Sequence, residues 1–188
     1  MGSLTQIQRS IIIGTLLGDG YLRCMPGRKD SFLEVNHSAK AREYVDWKFN
    51  QLKTITRSAP KQRKSNGIRI AYRFFTRQHS ELSELHKLFY FEKLKIVPDI
   101  ALDPIALAVW FMDDGSRCGA SDVYLNTQQF VRADQERLIS YLGKMGICAK
   151  MNKDKKYYRL RIIKSSLDRF FKIISPYIIP SMRYKLGE

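Results

Sequence analysis

Two stretches of the chain end the same way. IIIGTLLGDG (Ile11–Gly20) and ALAVWFMDDG (Ala106–Gly115) each run apolar and stop on an aspartate followed by glycine. One Asp-Gly after an apolar helix is an ordinary helix end. Two of them, 95 positions apart in 188 residues, form an internal repeat. A helix that is apolar on all sides needs other surfaces to cover it. The economical arrangement packs the two helices against each other about a pseudo-twofold axis. Gly14 and Gly18 in the first, and Ala106 and Ala108 in the second, are the small residues that permit close approach. Side by side and parallel, the helices would bring Asp19 and Asp114 together at one end.

The rest of each repeat follows one order: helix, two strands, helix, two strands, helix. In the first, Ser3 with Gln6 predicts a capping box opening a helix over 4–18. A second helix is expected over 38–54, with Tyr44, Trp47 and Leu52 buried, and a third near 79–89. Between them, IRIAYRFF alternates, with Ile68, Ile70, Tyr72 and Phe74 on one side and Arg69, Ala71, Arg73 and Phe75 on the other. In the second, Asp103 as N-cap and Pro104 at the first helical position open a helix. A strand is expected at VYLNTQQF, a helix over 133–145 stopped by Gly146, an alternating YYRLRII, and a last helix near 166–174. Pro98 and Pro180 close the two repeats 82 positions apart, so the first repeat is the longer. The expectation is an α+β chain of two αββαββα halves, residues 1–99 and 100–188, with antiparallel, saddle-shaped sheets.

Two carboxylates held together repel each other, and a divalent cation between them relieves this. Hard oxygen donors in an open site suit Mg²⁺, which keeps waters and binds phosphate oxygens. The chain also carries 33 Lys+Arg against 18 Asp+Glu, a formal charge of +15. That excess calls for a polyanionic partner, nucleic acid first. An acidic metal site in a strongly basic chain points to phosphodiester hydrolysis. Two acids related by a twofold, facing a duplex with its own local twofold, point to one acid per strand and a double-strand break.

The basic residues are distributed to match. Arg69 and Arg73 are set against Arg159 and Arg161, each pair on the polar face of a predicted strand. The loops RCMPGRKD (with Arg23, Arg28 and Lys29), KQRK (Lys61, Arg63, Lys64) and NKDKK (Lys153, Lys155) extend the footprint, as does Arg117. Base edges and phosphates are the expected contacts.

IIGTLLGDG (Ile12–Gly20) and LAVWFMDDG (Leu107–Gly115) resemble the two copies of the motif that names the LAGLIDADG homing endonucleases, in their single-chain, two-motif form. LNTQQF (Leu125–Phe130) and IIPSMRYKL (Ile178–Leu186) add to the likeness, which covers essentially the whole chain. The resemblance implies two halves on one saddle-shaped sheet surface and Mg²⁺-dependent cleavage of a long double-stranded DNA site leaving short 3′ overhangs. It implies a monomer using two or three divalent ions, with Mn²⁺ or Ca²⁺ able to substitute. Its motif-ending acids map onto Asp19 and Asp114, with Gly18 and Asp113 as neighbours at the metals. Basic residues that orient water or counter phosphate charge map onto Lys95 and Lys185. His37 and Thr127 align across the repeats, as do Asn36 and Asn126.

Other classes make different predictions. An intron RNA maturase, or a DNA-binding regulator on the same scaffold, would bind without cutting. A basic module for acidic proteins or membranes would bind any polyanion and leaves the doubled acid unexplained. No apolar run approaches the ~20 residues that span a bilayer, and the opening residues lack signal-peptide layout. Three cysteines (Cys24, Cys118, Cys148) without CxxC spacing predict reduced thiols in an intracellular protein.

Overall fold

A computed structural model describes residues 2–64, 70–119 and 121–188. The chain divides into two compact units, Met1–Leu88 and Phe89–Glu188, so residues 89–99 cluster with the second unit. No helix among the described residues is long and apolar enough to cross a membrane.

In the first unit, α1 (Gln6–Leu17) opens on a capping box, but at Thr5 and Gln8, two residues later than expected. The sequence SLTQIQ offers both S-x-x-Q and T-x-x-Q. The Glu81 carboxylate decides between them by accepting from Ser3 Oγ and Leu4 N, both at 2.8 Å. That leaves Thr5 Oγ1 to accept from Gln8 N at 3.2 Å. Ile11, Ile12, Leu16 and Leu17 are then buried, each contributing about 1.5–3 kcal/mol. The expected second helix is shorter: α2 (Arg42–Gln51) lies between 3₁₀ turns at Ala39–Ala41 and Lys53–Ile55. Tyr44 and Leu52 are buried as expected, together with Val45 and Lys48, whereas Trp47 is half-buried. α3 (Ser80–Phe89) follows the sheet.

That sheet is antiparallel with order β1-β2-β4-β3, built from β1 (Tyr21–Arg23), β2 (Phe32–Ser38), β3 (Lys61–Lys64) and β4 (Ile70–Phe75). KQRK is therefore an edge strand and not a loop. Leu22, Leu33, Val35, Tyr72 and Phe74 form the buried face, and the alternate residues form a half-exposed polar face. Ile68 and Arg69 lie outside the described residues.

The second unit begins with a two-strand ribbon, β5 (Tyr90–Phe91) and β6 (Leu94–Lys95). α4 (Pro104–Asp114) starts where the sequence predicts: Asp103 caps it by accepting from Ala106 N at 2.8 Å, with Pro104 in the first turn. Every side chain from Ala106 to Met112 is buried, and Phe111 packs edge-on against Phe170 at 5.3 Å. β7 (Gly115–Cys118), β8 (Asp122–Leu125), β9 (Ala149–Asp154) and β10 (Tyr157–Ile162) form a second antiparallel sheet, whose order β7-β8-β10-β9 repeats the first. α5 (Arg132–Lys144) and α6 (Leu167–Ile174) complete the unit.

Two expectations change here. NKDKK is not a loop, because β9 runs through Asp154. The strand at VYLNTQQF stops at Leu125, because buried Gln135 draws the following chain into a turn. Its Nε2 donates to Thr127 O, Phe130 O and Tyr158 O at 3.1–3.2 Å. Each unit nevertheless keeps the αββαββα order.

Candidate active site and nucleic-acid face

Both acid-ended helices turn directly into a strand, and the glycine after each acid makes this possible. Gly18 N donates to Gly14 O at 3.1 Å and Gly20 N to Thr15 O at 2.7 Å. A Cβ on Gly20 would sit 2.3 Å from Thr15 Cγ2 and 2.7 Å from Thr15 O. At the second end, the Gly115 N–H donates to Phe111 O, and a Cβ would sit 2.1 Å from the Phe111 ring and 2.4 Å from its carbonyl oxygen. Close approach of backbone to helix is the constraint at Gly115, whose φ is an ordinary −76°. Each carboxylate is thereby delivered to the junction of a buried helix and the first strand of a sheet.

The surroundings of the two acids differ. The Asp19 side chain is 51% exposed, and one oxygen lies 3.5 Å from Nδ1 of His37, whose side chain is only 10% exposed. Behind His37 stands the Tyr44 ring at 5.4 Å, and the Nζ of buried Lys48 lies 4.5 Å from the centre of that ring. Asp114 is still helical and has one buried oxygen, while its backbone carbonyl accepts from Asn126 N at 3.0 Å. Thr127, at the position corresponding to His37, turns away to donate to Gln135 Oε1 at 3.2 Å.

Lys185 sits in the 3₁₀ segment Pro180–Leu186 and places its ammonium on the carbonyl end of α4. It donates to Met112 O at 2.6 Å and to Phe111 O and Asp113 O at 3.3 Å. A cation is favoured there by the helix dipole and by the last carbonyls, which lack intrahelical partners. Lys95 is half-buried on β6, opposite Tyr90. Each unit by itself offers a hard oxygen donor at its helix end, the Asp19 carboxylate in the first and the Asp114 carboxylate in the second, on a turn with no room for a side chain after the acid. Such donors fit a divalent cation of the Mg²⁺ class. The Asp113 backbone carbonyl accepts from Lys185, and the second unit carries two side-chain carboxylates, Asp113 and Asp114, at this helix end.

Residues opposite each other across paired strands point to the same face. In the first unit this puts Lys61, Arg73 and Asn36 in one row and Arg63, Ala71 and Ser38 in the next, while Lys64 pairs with Ile70 on the alternate face. Arg23 pairs with Phe32. Arg28 and Lys29 lie in the β1–β2 connection. In the second unit Arg159 lies between Asn152 and the turn at Asn126, to which its Nη1 donates at 3.4 Å. Arg161 lies between Lys150 and Tyr124. Lys153 pairs with Tyr158, and Lys155 occupies the hairpin turn with a φ of 55°.

Arg117, expected to extend the basic footprint, lies on the covered side of its sheet. It pairs with buried Val123, donates to the Leu186 carbonyl and packs 5.4 Å from the Phe171 ring. Its guanidinium pins the C-terminal segment. The match of arginines across the repeats also shifts. With Asn36 aligned to Asn126, Arg73 corresponds to Arg159, but the position of Arg161 is held by Phe75. Sequence reading missed Lys150, which the alternation in AKMNKD could have revealed. It also missed Arg57 and Arg77, which join Arg28, Phe32 and Phe75 around an open pocket of about 680 Å³. Those arginines come from separate connections and leave no local pattern.

Two αββαββα units, each ending its first helix on an acid and carrying a basic sheet face, define the class: an endonuclease of the homing endonuclease fold. Residues 9–170 match the model of the LAGLIDADG DNA endonuclease family, and the chain belongs to that family. The chain is similar to the cytochrome b mRNA maturase bI2 of Debaryomyces hansenii, 30% identical over 95% of this chain and 72% of the relative. It is also similar to the probable intron-encoded endonuclease 1 of Wickerhamomyces canadensis, 30% identical over 98% and 85%. Among solved structures it resembles the homing endonuclease I-WcaI bound to its DNA recognition sequence. That match has a TM-score of 0.90 and 29% identity over 99% of this chain and 88% of that one.

Proposed function

We propose that the protein is a site-specific, Mg²⁺-dependent homing endonuclease that binds a long double-stranded DNA target as a monomer and cuts both strands by phosphodiester hydrolysis. The observation that carries the reading is the doubled acid-glycine turn: Gly20 against Thr15 and Gly115 against Phe111 deliver one carboxylate per unit to the head of a basic sheet. Asp19 and Asp114 would hold divalent ions, one acid being assigned to each strand. A bound divalent cation supplies a more acidic water and a counter-charge for the phosphate. The protein's own residues do the rest. His37 stands against Asp19 and limits its orientations, and Lys185 fixes the end of the helix that carries Asp114. Arg73, Arg159, Arg161, Lys61 and Lys150 bind the duplex on the sheet faces.

Linear product is expected when the protein is incubated with Mg²⁺ and a DNA library containing its site. Asp19→Asn and Asp114→Asn should each lower double-strand cutting at least about 100-fold, since even residues outside the direct ligand set cost up to that. Full cutting by both variants would overturn the assignment. The maturase relative supports a second reading, assistance to intron RNA folding. Splicing assistance that survives Asp114→Asn, with no cutting by the unaltered chain, would favour it.

A further inference from the structure

We infer that Glu34 is a specificity-determining residue, an acid that holds two arginines of the first unit's sheet in position to read guanine. This rests on the duplex-DNA reading above.

Glu34 lies on the polar face of β2, across from Tyr21 and Phe75, and its side chain is only 7% exposed. An acid at the centre of a face built for a polyanion works against affinity, because it cancels cationic charge and repels phosphate. Its contacts show what it does there. Arg23 Nε donates to one carboxylate oxygen at 2.5 Å, and Arg73 Nη1 donates to the other at 3.4 Å. Each guanidinium is also backed by a ring: Tyr21 at 5.5 Å from that of Arg23, Phe75 at 5.1 Å from that of Arg73. Both arginines are therefore fixed at two points before any DNA arrives, which lowers the entropy lost on binding.

The geometry selects a base. Glu34 takes the Nε side of Arg23 and leaves its terminal edge, two parallel N–H groups, on a side chain that is 50% exposed. That edge matches guanine O6 and N7 in the major groove. Direct reading of a cytosine amine by Glu34 is disfavoured, because its side chain is only 7% exposed. Arg23 follows Asp19 by four residues, at most roughly 13 Å of chain, at the far end of β1 from the acid, so the guanines are expected beside the cut and not at it.

The test selects bound duplexes from a randomised pool in Ca²⁺, with the unaltered protein, Glu34→Gln and Arg23→Lys. Binding, not cutting, is read. The unaltered protein is expected to enrich guanine at one or two positions of one half-site. Glu34→Gln should weaken that preference on the order of tenfold, within the range of one bidentate contact, and leave the other half-site unchanged. Arg23→Lys keeps the charge, loses the fork, and should erase the preference at the same position. It carries the test alone if thermal melting shows that Glu34→Gln does not fold. Unchanged preference, or an equal loss at all positions, overturns the role of Glu34. A protein that enriches no sequence overturns the duplex-DNA reading, and the inference with it. If the enriched site is then never cut by the unaltered protein in Mg²⁺, only the nuclease reading is overturned.

Discussion

The two units share an order of elements and a sheet topology, yet at equivalent positions they use opposite chemistry. Phe32 and Phe75 of the first unit form an edge-to-face pair at 5.8 Å. The corresponding Asp122 and Arg161 of the second form an ion pair at 2.6 Å. One row along, the relation inverts. Glu34 pairs with Arg73, whereas at the matching place Arg159 lies 3.9 Å from the centre of the Tyr124 ring. The fold asks only that these positions bridge adjacent strands, and either an aromatic or an ionic pair does so. The difference lies in what is left for a ligand. In the first unit Glu34 satisfies Nε of Arg23. In the second, the Nε atoms of Arg159 and Arg161 are buried donors without a hydrogen-bond partner among the described residues. The two faces thus differ in chemistry at equivalent positions.

The acid-glycine turns offer the largest break in this comparison. Gly115→Ala forces a Cβ to 2.4 Å from the Phe111 carbonyl and into its ring, and should destabilise by about 3 kcal/mol, the upper end for overpacking. Gly20→Ala meets Thr15 at slightly longer distances and should cost about 2 kcal/mol. Denaturant unfolding of both variants checks the order, and an equal cost would show that the turns are interchangeable. Lys185→Met comes next, removing an ammonium that serves three carbonyls at the end of α4. A loss of about 2 kcal/mol is expected for hydrogen bonds to a charged group. In a chain of this size that lowers the melting temperature by roughly 4–8 °C.

Acid pH should separate the units. Glu81 is held below the ordinary carboxylate range chiefly by the hydrogen bond from Leu4 N, with Ser3 and Arg9 assisting against burial. Burial likewise holds His86 below the ordinary imidazole range. Both groups bind protons less readily when folded. Their stabilisation is full above the unfolded-state values and is lost as pH falls through the folded ones, first His86 and then Glu81. Hydrogen exchange at falling pH should therefore show α1 and α3 loosening, and Glu81→Gln should flatten the lowest part of that profile. The smallest effect is expected of Asp122→Asn. Its partner Arg161 is a third exposed, so the change in stability should stay below about 1 kcal/mol. Tighter, less selective DNA binding with little change in melting temperature would be the readout.

Much of this was legible in the chain itself. Asp103 and Pro104 announce the start of α4, Gly146 the end of α5, and the alternation in YYRLRI places Arg159 and Arg161 on one face. The capping of α1 was not legible, because two overlapping signals competed and a carboxylate 77 residues away chose between them. The placement of Arg117 was not legible for a related reason: its carbonyl acceptor, Leu186, lies 69 residues away. The exchange of an aromatic pair for an ionic one was invisible as well, since no local pattern records which residues meet across strands.

What the sequence determined by itself is the repeat, its acid-ended helices and the sign of the charge, because period, capping and composition act over a few neighbouring residues. What only the tertiary structure decided is which arginines stand free and which are already held, and where Lys185 rests. These depend on strand register and on long side chains finding partners far along the chain.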